Sequence, residues 1–266
     1  MKFEVRKPDT DLRPWVECYW NVELNTGPND KTELILPNGK IEMIFALEGN
    51  YKVMNRRTRS VNQSWLSGCH YEPLEINYRG KSNLIGIRFY PHGIFPFLEI
   101  PIGETVNQVD PLHSIWGVFQ EEMYEALYMV KENAEIYPLL DQFLIRKISE
   151  KKTRQYKVIT GIVNKLKVNP NQSIPTLADS LGFTQRHLTR IFHDHTGVNP
   201  KLLAQVYRFE KAYSSLYSHS HNDVADLISQ LGYYDQSHFN KEFKRFSGMS
   251  PGEYKRRASG SDNFLS

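Results

Sequence analysis

The chain has 266 residues, 40% hydrophobic and 24% charged, an ordinary globular composition that excludes collagen-like and wholly disordered chains and leaves room for two domains. No stretch approaches the ~18–20 uninterrupted apolar residues of a membrane-spanning helix, and Met1–Lys7 is followed by no apolar run, so neither a membrane protein nor a secretory signal is expected. Cys18 and Cys69 are the only cysteines, which excludes a disulfide scaffold and a four-cysteine zinc site and makes a reducing, cytoplasmic setting the expectation.

The net charge of +3 conceals a step. Residues 1–150 carry 16 Lys+Arg against 21 Asp+Glu, a net of −5, whereas residues 151–266 carry 17 against 9, a net of +8. Six of the nine histidines also lie in the second part. Such asymmetry is expected of a polyanion-binding domain joined to a domain with another task.

Residues 1–110 read as a small antiparallel β-barrel or sandwich with flanking helices. Ile41–Leu47 is a strand-like run, and Ile85, Ile87 and Phe89 alternate with Gly86, Arg88 and Tyr90. Turn signals at Pro37-Asn38-Gly39, Glu48-Gly49-Asn50, Ser67-Gly68 and Arg79-Gly80 predict short strands between them. Within this part Trp20, Trp65, Arg88 and Tyr90 are the expected lining of an effector pocket, since pockets combine aromatic walls with a few polar groups. Trp15, Tyr19 and His92 belong to the same wider set.

Residues 111–150 turn helical. Trp116, Phe119, Met123, Leu127 and Val130 recur at three- and four-residue steps, and a second helix is predicted to start near Pro138 and to carry Leu140, Phe143 and Leu144. This stripe either caps the β-rich part or forms a homodimer seam. Glu121, Glu122, Glu125, Glu132 and Glu135 form the expected solvated face.

Residues 151–258 are helical throughout and contain an internal repeat. The first copy runs Leu177-Ala178-Asp179-Ser180-Leu181-Gly182-Phe183, then Leu188, Phe192, Gly197 and Pro200. The second runs Leu227-Ile228-Ser229-Gln230-Leu231-Gly232-Tyr233, then Phe239, Phe243, Gly248 and Pro251. Each copy predicts a short helix, a tight turn at glycine and a second helix, which is a helix-turn-helix. Thr184 and Asp235 stand where the N-caps of the second helices belong. Leu188, Ile191 and Phe192, and Phe239, Phe243 and Phe246, are the predicted inward faces.

The outward faces carry the chemistry. The first presents Gln185, Arg186, Thr189 and Arg190, the second Gln236, Ser237, His238, Asn240 and Lys241. Arg matches the O6/N7 edge of guanine and Gln or Asn the N7/N6 edge of adenine, and residues near the N-terminal end of a recognition helix reach base edges. Lys201, Lys244, Arg245, Lys255, Arg256 and Arg257 are the expected phosphate contacts, whose counterion release makes affinity fall with salt. The expected partner is double-stranded DNA.

These stretches, "SIPTLADSLGFTQRHLTRIFHDHTGVNP" and "DVADLISQLGYYDQSHFNKEFKRFSGMSPGEYKR", resemble the DNA-binding domain of the AraC/XylS family of bacterial transcription regulators. The resemblance implies a seven-helix unit whose two motifs are joined by a long helix over about Pro200 to Tyr217, where Arg208 and Ala212 match the family's Arg-x-x-x-Ala pattern. It places the outward residues named above at the family's DNA contacts, in two successive major grooves. Lys241 stands where the family more often has Arg, keeping the charge but losing the bidentate fork. Less sharply, "LILPNGKIEMIFAL", "GIRFYPHGIFPFLEIPIGETVNQVDPL" and "IWG" resemble a domain of unknown effector found ahead of such DNA-binding domains.

The expected organisation is α+β, with a β-rich sensor over 1–110, a helical pair over 111–150, the double helix-turn-helix over 151–258 and a tail over 259–266. The expected function is a sequence-specific transcription regulator, expected to be an activator. RNA polymerase, a small-molecule effector and a second copy of the chain are its further expected partners, with no cofactor and no membrane. One rival is an architectural DNA binder of low specificity without an effector. Another is a metal-dependent enzyme in the N-terminal barrel, but His70, His92 and His113 fit no metal-ligand spacing. A relative of the methyl-accepting DNA repair regulators would need more cysteines than the chain has. His193-Asp194-His195 and His219-Ser220-His221 are expected to face solvent or lie in a loop.

Overall fold

The computed structural model describes residues 2–54, 59–130, 132–149, 156–217 and 224–258. Its first part is one antiparallel sheet of seven strands: β1 (Lys2–Arg6), β2 (Val16–Ile35), β3 (Ile41–Met54), β4 (Arg59–Val61), β5 (Ser64–Ser67), β6 (Leu74–Phe89) and β7 (Val109–Pro111). The hydrogen-bonded path is β1-β2-β6-β3-β5-β7, with β4 on the far end of β3. Three strands are far longer than the sequence pattern predicts. Glu48-Gly49-Asn50 falls inside β3 and Arg79-Gly80 inside β6, and the pairing register shifts at both Ala46/Glu48 and Glu48/Asn50. Gly49 and Gly80 have φ of 109° and 77°, which an L side chain rarely adopts. The glycines therefore mark irregularities that bend a continuous strand, where turn chemistry alone predicts a chain reversal. Pro37-Asn38-Gly39 does make the predicted connection, between β2 and β3.

Alternation divides the sheet into two faces. Trp20, Val22, Ile44, Tyr51, Trp65, Ile76 and Tyr78 form one buried cluster within the curled sheet. Tyr19, Met43, Phe45, Ile85, Ile87 and Phe89 form another on the opposite face. Helices α1 (His113–Trp116), α2 (Val118–Met129) and α3 (Asn133–Lys147) close over that second face. The stripe of Trp116, Met123 and Leu127 is fully buried there, with Phe119 and Val130 packed beside it. Within one chain the stripe packs against the sheet, as the capping arrangement predicts. Helix α3 begins at Asn133, five residues before Pro138, so the proline lies inside the helix. The glutamates at 121, 122, 125, 132 and 135 are exposed.

Among the described residues seven helices follow: α4 (Tyr156–Val168), α5 (Ile174–Ser180), α6 (Gln185–Thr196), α7 (Pro200–Tyr217), α8 (Val224–Gln230), α9 (Gln236–Ser247) and α10 (Pro251–Ala258). They are docked on the sheet at two places. Ile159, Leu188, Phe192, Leu203 and Tyr207 extend the cluster that also holds Trp15, Phe97 and Ile102. Phe209, Phe243 and Phe246 form a separate cluster with Leu34, Leu36 and Tyr71. His92 Nε2 lies 2.9 Å from Thr160 Oγ1, and the rings of Phe95 and His195 stand 4.2 Å apart. His195 is thus buried between the parts, against the expectation that it faces solvent, whereas His193 and Asp194 are exposed. His219-Ser220-His221 and the 259–266 tail lie outside the described residues.

Candidate nucleic-acid interface

The two helix-turn-helix copies are built alike down to single atoms. Both chains turn at a glycine in the left-handed region, Gly182 at φ 71° and Gly232 at φ 69°. Thr184 Oγ1 then accepts from the His187 amide at 3.2 Å, and Asp235 Oδ1 from the His238 amide at 2.7 Å. These caps satisfy amides left open at the start of α6 and α9. Both helices end at left-handed glycines, Gly197 and Gly248. Before each, a buried hydroxyl donates back one turn: Thr196 Oγ1 to Phe192 O and Ser247 Oγ to Phe243 O. A hydroxyl residue before glycine in both copies is a sequence signal of that kinship that the spacing argument passes over.

Inward residues are buried in both copies, Leu188, Ile191 and Phe192 in α6 and Phe239, Phe243 and Phe246 in α9. Outward, Gln185, Arg186 and Arg190 are exposed and Thr189 is half-buried. Gln236, Ser237, His238, Asn240 and Lys241 are all exposed at the N-terminal half of α9. Arg190 lies 3.9 Å from Asp194 one turn on, an exposed contact of small energy. Lys201 is exposed at the start of α7; Lys244, Arg245, Lys255, Arg256 and Arg257 are exposed along α9 and α10. An open cleft of about 740 Å³ joins the motifs, with Gln185, Thr189 and Lys201 on one side and Arg208 and Gly232 on the other.

One polar residue of α9 points the other way. Glu242 is 5% exposed and accepts both arms of the Arg208 guanidinium, Nε to Oε1 at 2.9 Å and Nη2 to Oε2 at 2.6 Å. Gln205 Nε2 adds a third bond at 3.2 Å. Burial works against the Arg208 charge, yet Glu242 outweighs it and the pKa is raised. Sequence reasoning gave Arg208 only a pattern match and passed over Glu242, because a carboxylate among polar helix residues reads as surface. It also passed over Tyr234, 92% exposed directly before the cap of α9.

In the β-rich part the structure brings Trp20 and Trp65 together but not Arg88 and Tyr90. The two tryptophans line a small, partly open apolar cavity with Tyr51, Tyr78 and Glu33, of only about 30 Å³. Arg88 Nε is instead paired with Glu42 at 2.8 Å, and Glu42 also accepts from Trp20 Nε1. Tyr90 stacks on His92 outside that cavity. Among the described residues no group of three or more His, Cys, Asp or Glu is placed to hold a metal, and no helix is long and apolar enough to cross a membrane.

Comparisons with known proteins match two separate stretches of the chain. Residues 177–257 match the family model of a helix-turn-helix domain, and residues 4–111 match a domain of unknown function, DUF6597. The raffinose operon transcriptional regulatory protein RafR of Pediococcus pentosaceus is 30% identical over 109 residues, 41% of this chain and 39% of that protein. The lactose operon transcription activator of Staphylococcus xylosus is 30% identical over 83 residues, 31% of this chain and 29% of that one. The matches thus span well under half of these curated relatives. Among solved structures, ToxT from Vibrio cholerae aligns with 90% of this chain and 98% of its own at 13% identity, with a TM-score of 0.49.

Proposed function

We infer that this chain, whose C-terminal part is an AraC-type helix-turn-helix domain, is a transcription regulator that binds specific double-stranded DNA through two successive major grooves. One observation carries the reading: the chain builds two capped recognition helices on one frame, and each turns polar and basic residues to solvent while its apolar side is buried. A single such face is a common surface feature, whereas a matched pair fits the geometry of two half-sites about one helical turn apart. Gln185, Arg186, Thr189, Arg190, Gln236, Ser237, His238, Asn240 and Lys241 are the base-reading set. Lys201, Lys244, Arg245, Lys255 and Arg256 are the phosphate set, which supplies sequence-independent attraction.

We divide the chain at about residues 110 and 150, with 151–258 as the DNA-binding unit and the preceding parts as sensor and helical cap. The protein acts in the cytoplasm by contacting or excluding RNA polymerase, and it performs no covalent reaction. The small apolar cavity at Trp20 and Trp65 is the proposed effector position, and the docked sheet is the route by which its state reaches DNA. A second copy of the chain is the further partner, through the exposed Val118, Tyr128, Met129 and Ile145 of α2 and α3 rather than the buried stripe.

Selection from random double-stranded DNA, followed by footprinting, tests the reading. A sharp consensus with two half-sites about 10 base pairs apart is expected. Equal retention of all sequences would leave the architectural reading instead. A solution mass equal to one chain at micromolar concentration would remove the dimer.

A further inference from the structure

We propose that Asn171, Arg208 and Glu242 form a polar strut that fixes the angle and distance between the two recognition helices, and so sets which half-site spacing the protein accepts. The proposal rests on the DNA-binding reading above and concerns positioning residues, which touch no base.

Helix α7 joins the motifs through apolar packing on both sides. Leu203 and Tyr207 belong to the cluster of the first motif, Val206 and Phe209 to that of the second. Apolar contact is non-directional, so it constrains rotation less sharply than paired hydrogen bonds do. The strut supplies direction. Its centre is the bidentate Arg208–Glu242 pair, which ties α9 to α7 from inside the recognition helix. Planar two-bond pairing constrains orientation as well as distance. The Arg208 guanidinium carbon also lies over the Tyr233 ring, 4.4 Å from its centre, at the turn that leads into α9.

Asn171 carries the link to the first motif. It sits between α4 and α5, and its Oδ1 accepts from Arg208 Nη1 at 3.2 Å. Its Nδ2 donates to Leu231 O at 2.9 Å, in the turn of the second motif, 60 residues away in sequence. One end of the amide thus meets the turn of the second motif and the other meets the joining helix α7. Gly232 makes the room: a Cβ there would stand 2.4 Å from Asn171 Nδ2. Asn171 and Arg208 line the cleft that also holds Gln185, Thr189 and Gly232.

Moving one half-site by a base pair shifts it about 3.4 Å and rotates it about 34° around the duplex. A rigid pair of helices cannot follow, whereas a loosened pair can. The test uses the full chain, the operator obtained by selection, and versions of it with the half-sites moved by one and two base pairs. Wild type should lose about 100-fold in affinity on a one-base-pair shift. Asn171→Ala, and the paired R208M/E242M that leaves no orphan charge, should lose affinity for the parent operator yet discriminate spacing about ten-fold less. Folded variants with wild-type discrimination, or with equal losses at every spacing, overturn the strut. A second readout needs no DNA: amide exchange over residues 231–242 should quicken in Asn171→Ala while residues 185–196 stay unchanged. Unchanged exchange over 231–242 overturns the strut as well. Failure of wild type to select any operator would instead sink the regulator reading, and the exchange arm would still judge the strut.

Discussion

A pair of glycine substitutions measures how firmly the first recognition helix is docked on the β-rich part. Gly182 and Gly197 bracket α6 and have nearly the same backbone, φ 71° and φ 72°. A Cβ added at Gly182 meets nothing within 4 Å, whereas one at Gly197 would lie 2.8 Å from Val106 Cγ2 and 3.0 Å from Ile102 O. Gly182→Ala therefore pays only for the left-handed backbone, roughly 1–2 kcal/mol, less about 0.4–1 kcal/mol from the stiffer unfolded chain, a net loss of about 1 kcal/mol. Gly197→Ala carries the same cost plus overpacking of about 1–3 kcal/mol, because one of the obstructing atoms is a backbone oxygen that cannot rotate away. The expected loss is about 2–4 kcal/mol. Urea unfolding of both variants, followed by tryptophan fluorescence, reads the difference. Equal losses would refute the docking of the α6 C-terminus on the 102–106 segment.

Three further outcomes follow from the same geometry. Arg186→Ala and Gln236→Ala should each cost about 1–3 kcal/mol at particular base pairs, while Lys255→Ala should weaken all sequences alike and lower the salt slope by about one; competition binding with specific and scrambled DNA decides, and uniform losses for the first two would remove their reading role. Thr184→Ala and Asp235→Ala should each cost about 1 kcal/mol in unfolding free energy through the lost cap, and a pair of neutral results would mean the caps are replaced by water. His92 gives an acid dependence: burial lowers its pKa to about 4 from the ordinary 6.5, so the unfolded chain binds a proton in that interval that the folded chain does not. Stability is full above about pH 6.5 and falls as pH drops toward 4, by roughly 2 kcal/mol at pH 5. His92→Gln should flatten that part of the profile, and an unchanged slope between pH 7.5 and 5 would refute a neutral buried imidazole.

How much of this was legible in the sequence depends on the distance over which each feature is encoded. The caps at Thr184 and Asp235 act over three residues, and the turn glycines over one, so the repeat declared them. The long strands were less legible for a physical reason: Gly49 and Gly80 carry the same φ preference whether the chain reverses or bulges, and only the pairing of β3 with β6 decides. The stripe of Trp116, Met123 and Leu127 reads as an apolar face, but periodicity does not name the surface that covers it. Glu242 lies at the far extreme. Its partner Arg208 is 34 residues away, and Asn171, which closes the link, is 71 residues away. Within α9 the Lys241-Glu242 pair looks like ordinary solvated helix, yet Lys241 is exposed and Glu242 is buried. One step of 100° along the helix separates a group that can meet DNA from a group that can only hold the helix in place. On the proposed reading that step divides reading from positioning, and a list of polar residues on such a helix cannot assign either role until the burial of each is known.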